Sequence, residues 1–301
     1  MQVMGWVWVA LIGGVQLAGW GVLFGGGMPG VAAFVVLASL VPLLGVFSLL
    51  GGAVVFLRRR RMSGPIAGSL LLSLPALWPG LWSFGIATVT YPTSQERMQP
   101  SATVRLPAAE RLRVAWGGDS VATNQHAAMP DQRWAYDLVV EPAFVGSKRL
   151  EDYGCWSKPV LAPVAARVHR AVDGQADLTP GEVRLDEPLG NHVVLRLPTD
   201  TFLILAHLRR GSLLVKEGEM VAEGQPLGRC GNSGHSSEPH IHLHHQRQDP
   251  KQFPLNFAEG LPLYFRDHDG APMPLGGIEV EGGKPIARGA LVQHIGARSA
   301  L

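Results

Sequence analysis

Apolar and polar positions divide this chain into two regimes. Residues 1–57 contain no Asp, Glu, Lys or Arg; Arg58-Arg59-Arg60-Arg61 follows, and the next charged residue is Glu96. A membrane-spanning helix needs about 20 mainly apolar residues. Residues 5–24 and 31–57 each supply one, and 66–89 supplies a third despite Pro75 and Pro79, since neighbouring helices satisfy the carbonyls that a proline frees. Trp78 and Trp82 read as interface or helix-contact residues. The first segment lacks a basic leader region and two apolar segments follow it, so it reads as a span and not as a cleaved signal.

After residue 90 the period changes. Residues 91–106 are rich in Pro, Ser, Thr and Gln and read as a linker. Arg113-Val114-Ala115-Trp116 before Gly117-Gly118 predicts a first strand and a turn. Short apolar or alternating runs follow at 134–140, 160–172, 192–197, 201–208 and 241–245, separated by Gly, Pro, Asn and Asp. None sustains a helical period, which predicts an all-β domain with tight turns. The expected organisation is a membrane region over 1–90, a linker over 91–112, a β domain over 113–265 and a C-terminal extension over 266–301. The extension is rich in Gly and Pro and reads as weakly structured with one more hairpin. Between Val215 and Gly228, apolar residues and glycines recur by threes, predicting very short strands joined by turns at a sandwich corner. Lipoyl- and biotinyl-type sandwiches share that pattern, but Lys216 precedes the turn and does not crown it, so it is no carrier lysine.

Charge narrows the function classes. The chain has 26 basic and 24 acidic residues, net +2. Without the four arginines of 58–61 the balance is 22 to 24, so the soluble part has no basic surplus to attract nucleic acid. Those arginines favour the cytoplasmic side. They would hold the loop between spans two and three inside, which puts the N-terminus inside and everything after about residue 91 outside. The cysteines, Cys155 and Cys230, form either a disulfide, which an extracytoplasmic compartment permits, or two small buried thiols.

The chemistry concentrates in Glu238-Pro239-His240-Ile241-His242-Leu243-His244-His245, which holds four of the eleven histidines. On a strand, residues i, i+2 and i+4 share a face. His240, His242 and His244 then point one way while Ile241 and Leu243 enter a core. Adjacent imidazoles on a rigid strand suit a zinc site with a neighbouring base. A catalytic zinc takes three protein ligands and an open position, so partners must come from elsewhere. Asp137 is a carboxylate inside an apolar run; it meets a cation, or it bonds backbone amides or Arg133. His207 ends the apolar run 202–208 as a site residue or a satisfied core histidine. His126 lies in the polar stretch Asn124-Gln125-His126. His244 either orients a ligand or ends the strand in solvent, His235 lies in a loop near the site, and His245 points away.

Read together, these motifs resemble the lysostaphin/LytM-type zinc metallopeptidases, mostly peptidoglycan endopeptidases, over residues 117–265. The glycine-rich loop Gly231–His242 leading into His-x-His, Lys158-Pro159-Val160-Leu161-Ala162-Pro163, Gly190-Asn191-His192-Val193-Val194 and Leu205-Ala206-His207-Leu208 follow one another in the family's order. The resemblance implies an antiparallel β-sandwich, related in shape to lipoyl/biotinyl barrel-sandwich folds, and a bound Zn2+. It implies His242 and Asp137 as metal ligands and His207 and His240 as catalytic histidines. One position departs from the pattern: four residues before Asp137, where the family has a ligand histidine, stands Arg133. The nearest upstream histidine is His126, which a differently shaped loop is expected to bring to the metal.

The implied protein is a multi-pass enzyme of the cytoplasmic (inner) membrane with its catalytic domain on the periplasmic or cell-wall side. It would hydrolyse peptide crosslinks of peptidoglycan. Two rivals remain: a non-catalytic regulator or wall-binding protein of the same fold, and a zinc peptidase acting on a protein substrate. A transport role is disfavoured, because the spans carry no charge of the kind that marks an ion or substrate path.

Overall fold

The computed structural model describes residues 2–83 and 86–296, and the chain divides into two compact units, Met1–Thr93 and Ser94–Leu301. In the first unit, α1 (Gln2–Gly25) turns at Gly26 into α2 (Gly27–Arg59), and α3 (Gly64–Leu77) is followed by the short α4 (Gly80–Ser83). Three stretches, Gln2–Gly25, Gly27–Arg59 and Gly64–Trp82, are long and apolar enough to cross a membrane. The third is shorter than expected: α3 ends before Pro79, where a missing N–H and the ring's bulk stop helix propagation. Residues 84 and 85 of the expected third span lie outside the described residues.

The helices are apolar all round, as lipid-facing helices are. Leu17, Leu43, Phe47 and Leu50 stay exposed. Their few polar groups are paired inward: Gln16 Nε2 donates to the carbonyls of Ile12 and Leu72, both at 3.1 Å, and Trp8 Nε1 donates to Ser48 Oγ. Trp82 is a helix-contact residue, stacked on Phe34 at 5.5 Å and edge-on to Trp20 at 5.7 Å, whereas Trp78 is exposed.

The second unit is built from short strands: β1 (Ala102–Val104), β2 (Leu112–Trp116), β3 (Tyr136–Val139), β4 (Pro159–Leu161), β5 (Ala166–Val172), β6 (Asn191–Arg196), β7 (Phe202–Leu208), β8 (Met220–Val221), β9 (Pro226–Arg229), β10 (Ile241–Gln246), β11 (Leu263–Phe265), β12 (Ile278–Glu281), β13 (Lys284–Ala287) and β14 (Leu291–Val292). The run expected over 160–172 is two strands, because Pro163 interrupts the ladder. Eight strands form an antiparallel sheet in the order β14-β2-β3-β10-β7-β6-β5-β8, and its two ends do not meet, so there is no closed barrel. The ribbons β4–β9 and β1–β11 pack over one face of it. Val160 and Leu227, with Val104 and Phe265, join Leu138, Leu203, Leu205, Ile241 and Leu243 in a single core.

Two segments enter the fold more than their composition suggests. Residues 91–112 include β1, paired in parallel with β11, and the stretch after 265 contributes the β12–β13 hairpin and the edge strand β14. Gly and Pro in that stretch serve tight turns, among them Gly282-Gly283, both at positive φ.

Cys155 and Cys230 form a disulfide with Cα atoms 5.9 Å apart, across 75 residues of chain. Loop-closure entropy makes such a crosslink worth about 4 kcal/mol. Replacing both cysteines with alanine is expected to lower unfolding stability by that order, read as a shift of the denaturant midpoint. An unchanged midpoint would show that the bridge adds nothing.

Candidate metal centre

Strand alternation gives the large sheet one core face and one polar face. Tyr136 and Leu138 of β3 and Ile241 and Leu243 of β10 enter the core. Asp137 and His242 point to the other side, and they are direct cross-strand partners in the β3–β10 ladder. Residues 105 apart in sequence thus meet, with His242 Nδ1 2.8 Å from Asp137 Oδ1. Such a pair needs no loop to hold it, because opposed side chains of neighbouring strands lie close by construction.

His207 arrives differently. Leu203 and Leu205 face the core, while Phe202, Ile204 and Ala206 face the other side of the sheet, where they form a small apolar cluster with Val194. Continued alternation would bury His207 in the core. Instead the β6–β7 register slips between Asn191 and Val193, and His207 adopts a left-handed φ of 62°. Leu208 takes the core position and the imidazole swings to the polar face, within 4.8 Å of the His240 ring. A bulge that re-aims a side chain, in a conformation rare for non-glycine residues, is a feature found beside functional sites.

The loop 231–239 sets the remaining orientations. It can lie against Gly190 only because residue 234 is a glycine: its φ is 80°, and a Cβ there would stand 2.4 Å from the Gly190 nitrogen. The loop's carbonyls then tie down two imidazoles. His207 Nδ1 lies 2.9 Å from the Ser233 carbonyl, and His240 Nδ1 lies 2.8 Å from the Glu238 carbonyl. A carbonyl only accepts, so each Nδ1 carries the proton and each Nε2 keeps its lone pair.

His242 is oriented by its own strand. Gln246 Nε2 donates to the Gln248 carbonyl at 2.6 Å, which turns Gln246 Oε1 toward His244 Nε2 at 3.1 Å. With His244 Nε2 donating to that oxygen, His244 Nδ1 accepts from His242 Nε2 at 2.8 Å, which turns His242 Nδ1 to the centre as its ligand atom; the 2.8 Å contact of that Nδ1 with the Asp137 carboxylate, which only accepts, is closed by a proton or by a cation. His244 is therefore a buried partner of His242 and not a solvated strand end. Gln246 was not legible in advance; its one signal is the i+2 spacing that continues 240, 242 and 244. His245 lies on the core side, buried, 2.7 Å from Thr201 Oγ1.

His126 comes from a single 3₁₀ turn, Gln125–Ala128, capped by Asn124, whose Oδ1 accepts from the His126 amide at 3.1 Å. Its Nε2 is 2.9 Å from Asp137 Oδ2. Arg133 is turned away: its guanidinium pairs with Asp119 at 3.0 Å and lies over the Trp134 ring. All five candidate residues, His126, Asp137, His207, His240 and His242, are brought together and buried.

Two donor sets result. His126, Asp137 and His242 offer ligand atoms within 4.8 Å of one another, and so do His207, His240 and His242. Their chemistry fits a divalent transition metal: imidazole nitrogens with lone pairs turned inward, beside a carboxylate. Burial would raise the Asp137 carboxyl, but the imidazoles of His126 and His240 outweigh it and hold the carboxyl well below its usual range, so it is anionic. Burial, reinforced by His240 and His242, holds His207 well below the usual histidine range, and burial also lowers His242. His240 goes the other way, since Asp137 overcomes the burial that alone would lower it.

The centre lies in a cavity of about 630 Å³ whose walls include Trp116, Met129, Phe144, Leu185, Leu255 and the exposed His235. One buried carboxylate stands at its edge, Glu238, whose oxygens accept from the Phe144 amide at 3.0 and 3.2 Å.

Residues 154–254, about a third of the chain, match the family model for peptidase family M23. His207, His240 and His242 fall inside the matched span, whereas His126 and Asp137 precede it. Among solved structures, the catalytic domain of the prophage-encoded M23 protein EnpA from Enterococcus faecalis is similar at 18% identity over 41% of this chain and 82% of that chain, TM-score 0.27. The antimicrobial peptidase lysostaphin from Staphylococcus simulans is 20% identical over 39% of this chain and 42% of its own, TM-score 0.27. The M23 metalloprotease pseudoalterin, from the deep sea, is 13% identical over 63% of this chain and 98% of its own, TM-score 0.36. This chain thus spans less than half of the lysostaphin chain. No curated protein matches it.

Proposed function

We propose that this protein is a membrane-anchored zinc endopeptidase that cuts peptide crosslinks of peptidoglycan outside the cytoplasm. The convergence of His126, Asp137 and His242, with two further imidazoles beside them, carries this reading. Of the two donor sets, the one with Asp137 is favoured because a buried carboxylate requires a cation. It also frees His207 and His240 for proton transfer. A zinc ion there supplies Lewis-acid polarisation of a scissile carbonyl and a nucleophilic water near neutral pH.

The chain's own groups do the rest. Nε2 of His207 and Nε2 of His240 face the centre with lone pairs, held by the Ser233 and Glu238 carbonyls behind them. These are the atoms that take the proton of an attacking water and return it to the leaving amine. Protonated, either imidazole also donates to the developing oxyanion. The apolar walls around Trp116 and Leu255 limit water at the reacting carbonyl.

Location rests on the apolar helices, the arginines of 58–61 and the Cys155–Cys230 bridge, which suits an oxidising compartment. The test is turnover by the zinc-loaded full chain in detergent, with crosslinked peptidoglycan and unfolded protein as alternative substrates. Release of new amino termini from the crosslinks, lost on chelation and restored by zinc, is the expected result. Cleavage of protein alone would point to a protein substrate, and wall binding without turnover to a non-catalytic regulator.

A further inference from the structure

Glu238 is a buried carboxylate that the proposed chemistry leaves unused. It is 8% exposed, it lines the same cavity as His207, His240 and His242, and it belongs to neither donor set. Its own carbonyl lies 2.8 Å from His240 Nδ1, so the side chain springs from the residue that orients a catalytic imidazole. Its two oxygens share one donor, the Phe144 amide, at 3.0 and 3.2 Å. A carboxylate has about four acceptor sites, so most of that capacity is open. A buried carboxylate with one neutral donor lacks the compensation that burial demands.

The cavity wall supplies no cation: among the described residues, no lysine or arginine lines it. What surrounds Glu238 is apolar. Phe144, whose amide it holds, lines the cavity too, and its φ of 56° is an outlier for a bulky residue. Strain of that kind collects at ligand clamps. Val183 and Leu185 lie on the segment tied to the loop that carries Glu238: the Arg184 amide donates to the Gly234 carbonyl at 2.9 Å, and the Gly181 amide to the Ser237 carbonyl at 2.8 Å. Both side chains line the cavity, yet they are 46% and 73% exposed.

We propose that Glu238 is a specificity residue: its carboxylate receives an alkylammonium group of the bound peptide, from a lysine-type or other diamino residue, while Phe144, Val183 and Leu185 cover the methylene stem. This rests on the endopeptidase reading and names the peptides that its site takes. An ammonium brings three donors to the open acceptor sites. Away from bulk water such a charge-assisted pair is stronger than at the surface. Long amino side chains lay their stems on apolar surface while the charged head finds a polar partner. A Glu238 that served only to pin the Phe144 loop would not need its charge, because glutamine offers that amide an oxygen as well.

The test is fluorescence-polarisation binding by the metal-free full chain in detergent, wild type and Glu238→Gln. The probes are a labelled synthetic peptide crosslink with one free lysine ammonium beside the crosslinking amide, and the same peptide acetylated at that nitrogen. The wild type is expected to bind the free amine about 10–100-fold more tightly, the worth of a hydrogen bond to a charged group, and Glu238→Gln to bind both peptides alike. Equal affinities in the wild type, or a preference that survives in Glu238→Gln, would overturn the inference alone. An intact preference with neither peptide cleaved by the zinc-loaded chain would overturn the endopeptidase reading and leave a peptide-binding site. Should the variant fail to fold, carbodiimide coupling in the wild type decides. An amide bond between the peptide's amine and Glu238 supports the inference, and coupling that bypasses Glu238 contradicts it.

Discussion

Replacing His242 with alanine is expected to strip the chain of zinc and abolish turnover. His242 is the one residue common to both donor sets, so its loss breaks either arrangement. Of the four imidazoles of the proposed centre it is the least exposed, at 3%, and it lies opposite Asp137 in the ladder, with Nε2 against His244 and Nδ1 turned to the centre. Removing a partner behind a metal ligand typically weakens binding 10–100-fold; removing the ligand itself exceeds that. Dialysis against a zinc chelator followed by metal analysis provides the measurement. The fold should survive, because the substitution sits on the polar face and leaves Ile241 and Leu243 in the core. Equimolar zinc retained by His242→Ala would mean that the ion, if present, sits elsewhere.

His207→Ala and His240→Ala are expected to keep zinc and lose 10²–10⁴-fold in kcat, the usual contribution of a positioned acid or base. Both rings have Nδ1 bonded to a carbonyl, so each offers only Nε2. Neither needs to hold the metal if His126, Asp137 and His242 do. The comparison with His126→Ala separates the donor sets. Zinc lost in His126→Ala and kept in His207→Ala supports the carboxylate-containing set. The opposite pattern supports the three-histidine set and leaves Asp137 as its counter-charge. With the metal in place and kcat lowered in both variants, KM should change little, since proton transfer acts on the transition state and not on ground-state binding.

Much of this was legible in the residues, for identifiable reasons. The period-2 pattern of 240–244 predicts a shared face for His240, His242 and His244, and β10 has that face because Ile241 and Leu243 have no other place than the core. An Asp inside the apolar run of β3 announces a cation or strong donors, and three imidazoles face it. The position of His207 was legible only as a motif: strict alternation sends it into the core, and the bulge that rescues it depends on register against β6, a long-range property. The same limit applies to residues 91–112 and to the end of the chain. Their polar, Gly- and Pro-rich composition suggests little structure, yet β14 forms one edge of the larger sheet and β1 helps cover its core.

The most direct test is the position of the metal itself. A crystal structure of the zinc-loaded full chain, with anomalous scattering at the zinc edge, should show one peak bonded to His126 Nε2, an Asp137 carboxylate oxygen and His242 Nδ1, with His207 and His240 off the metal. A peak ringed by His207, His240 and His242, or no peak among these residues, would contradict the account.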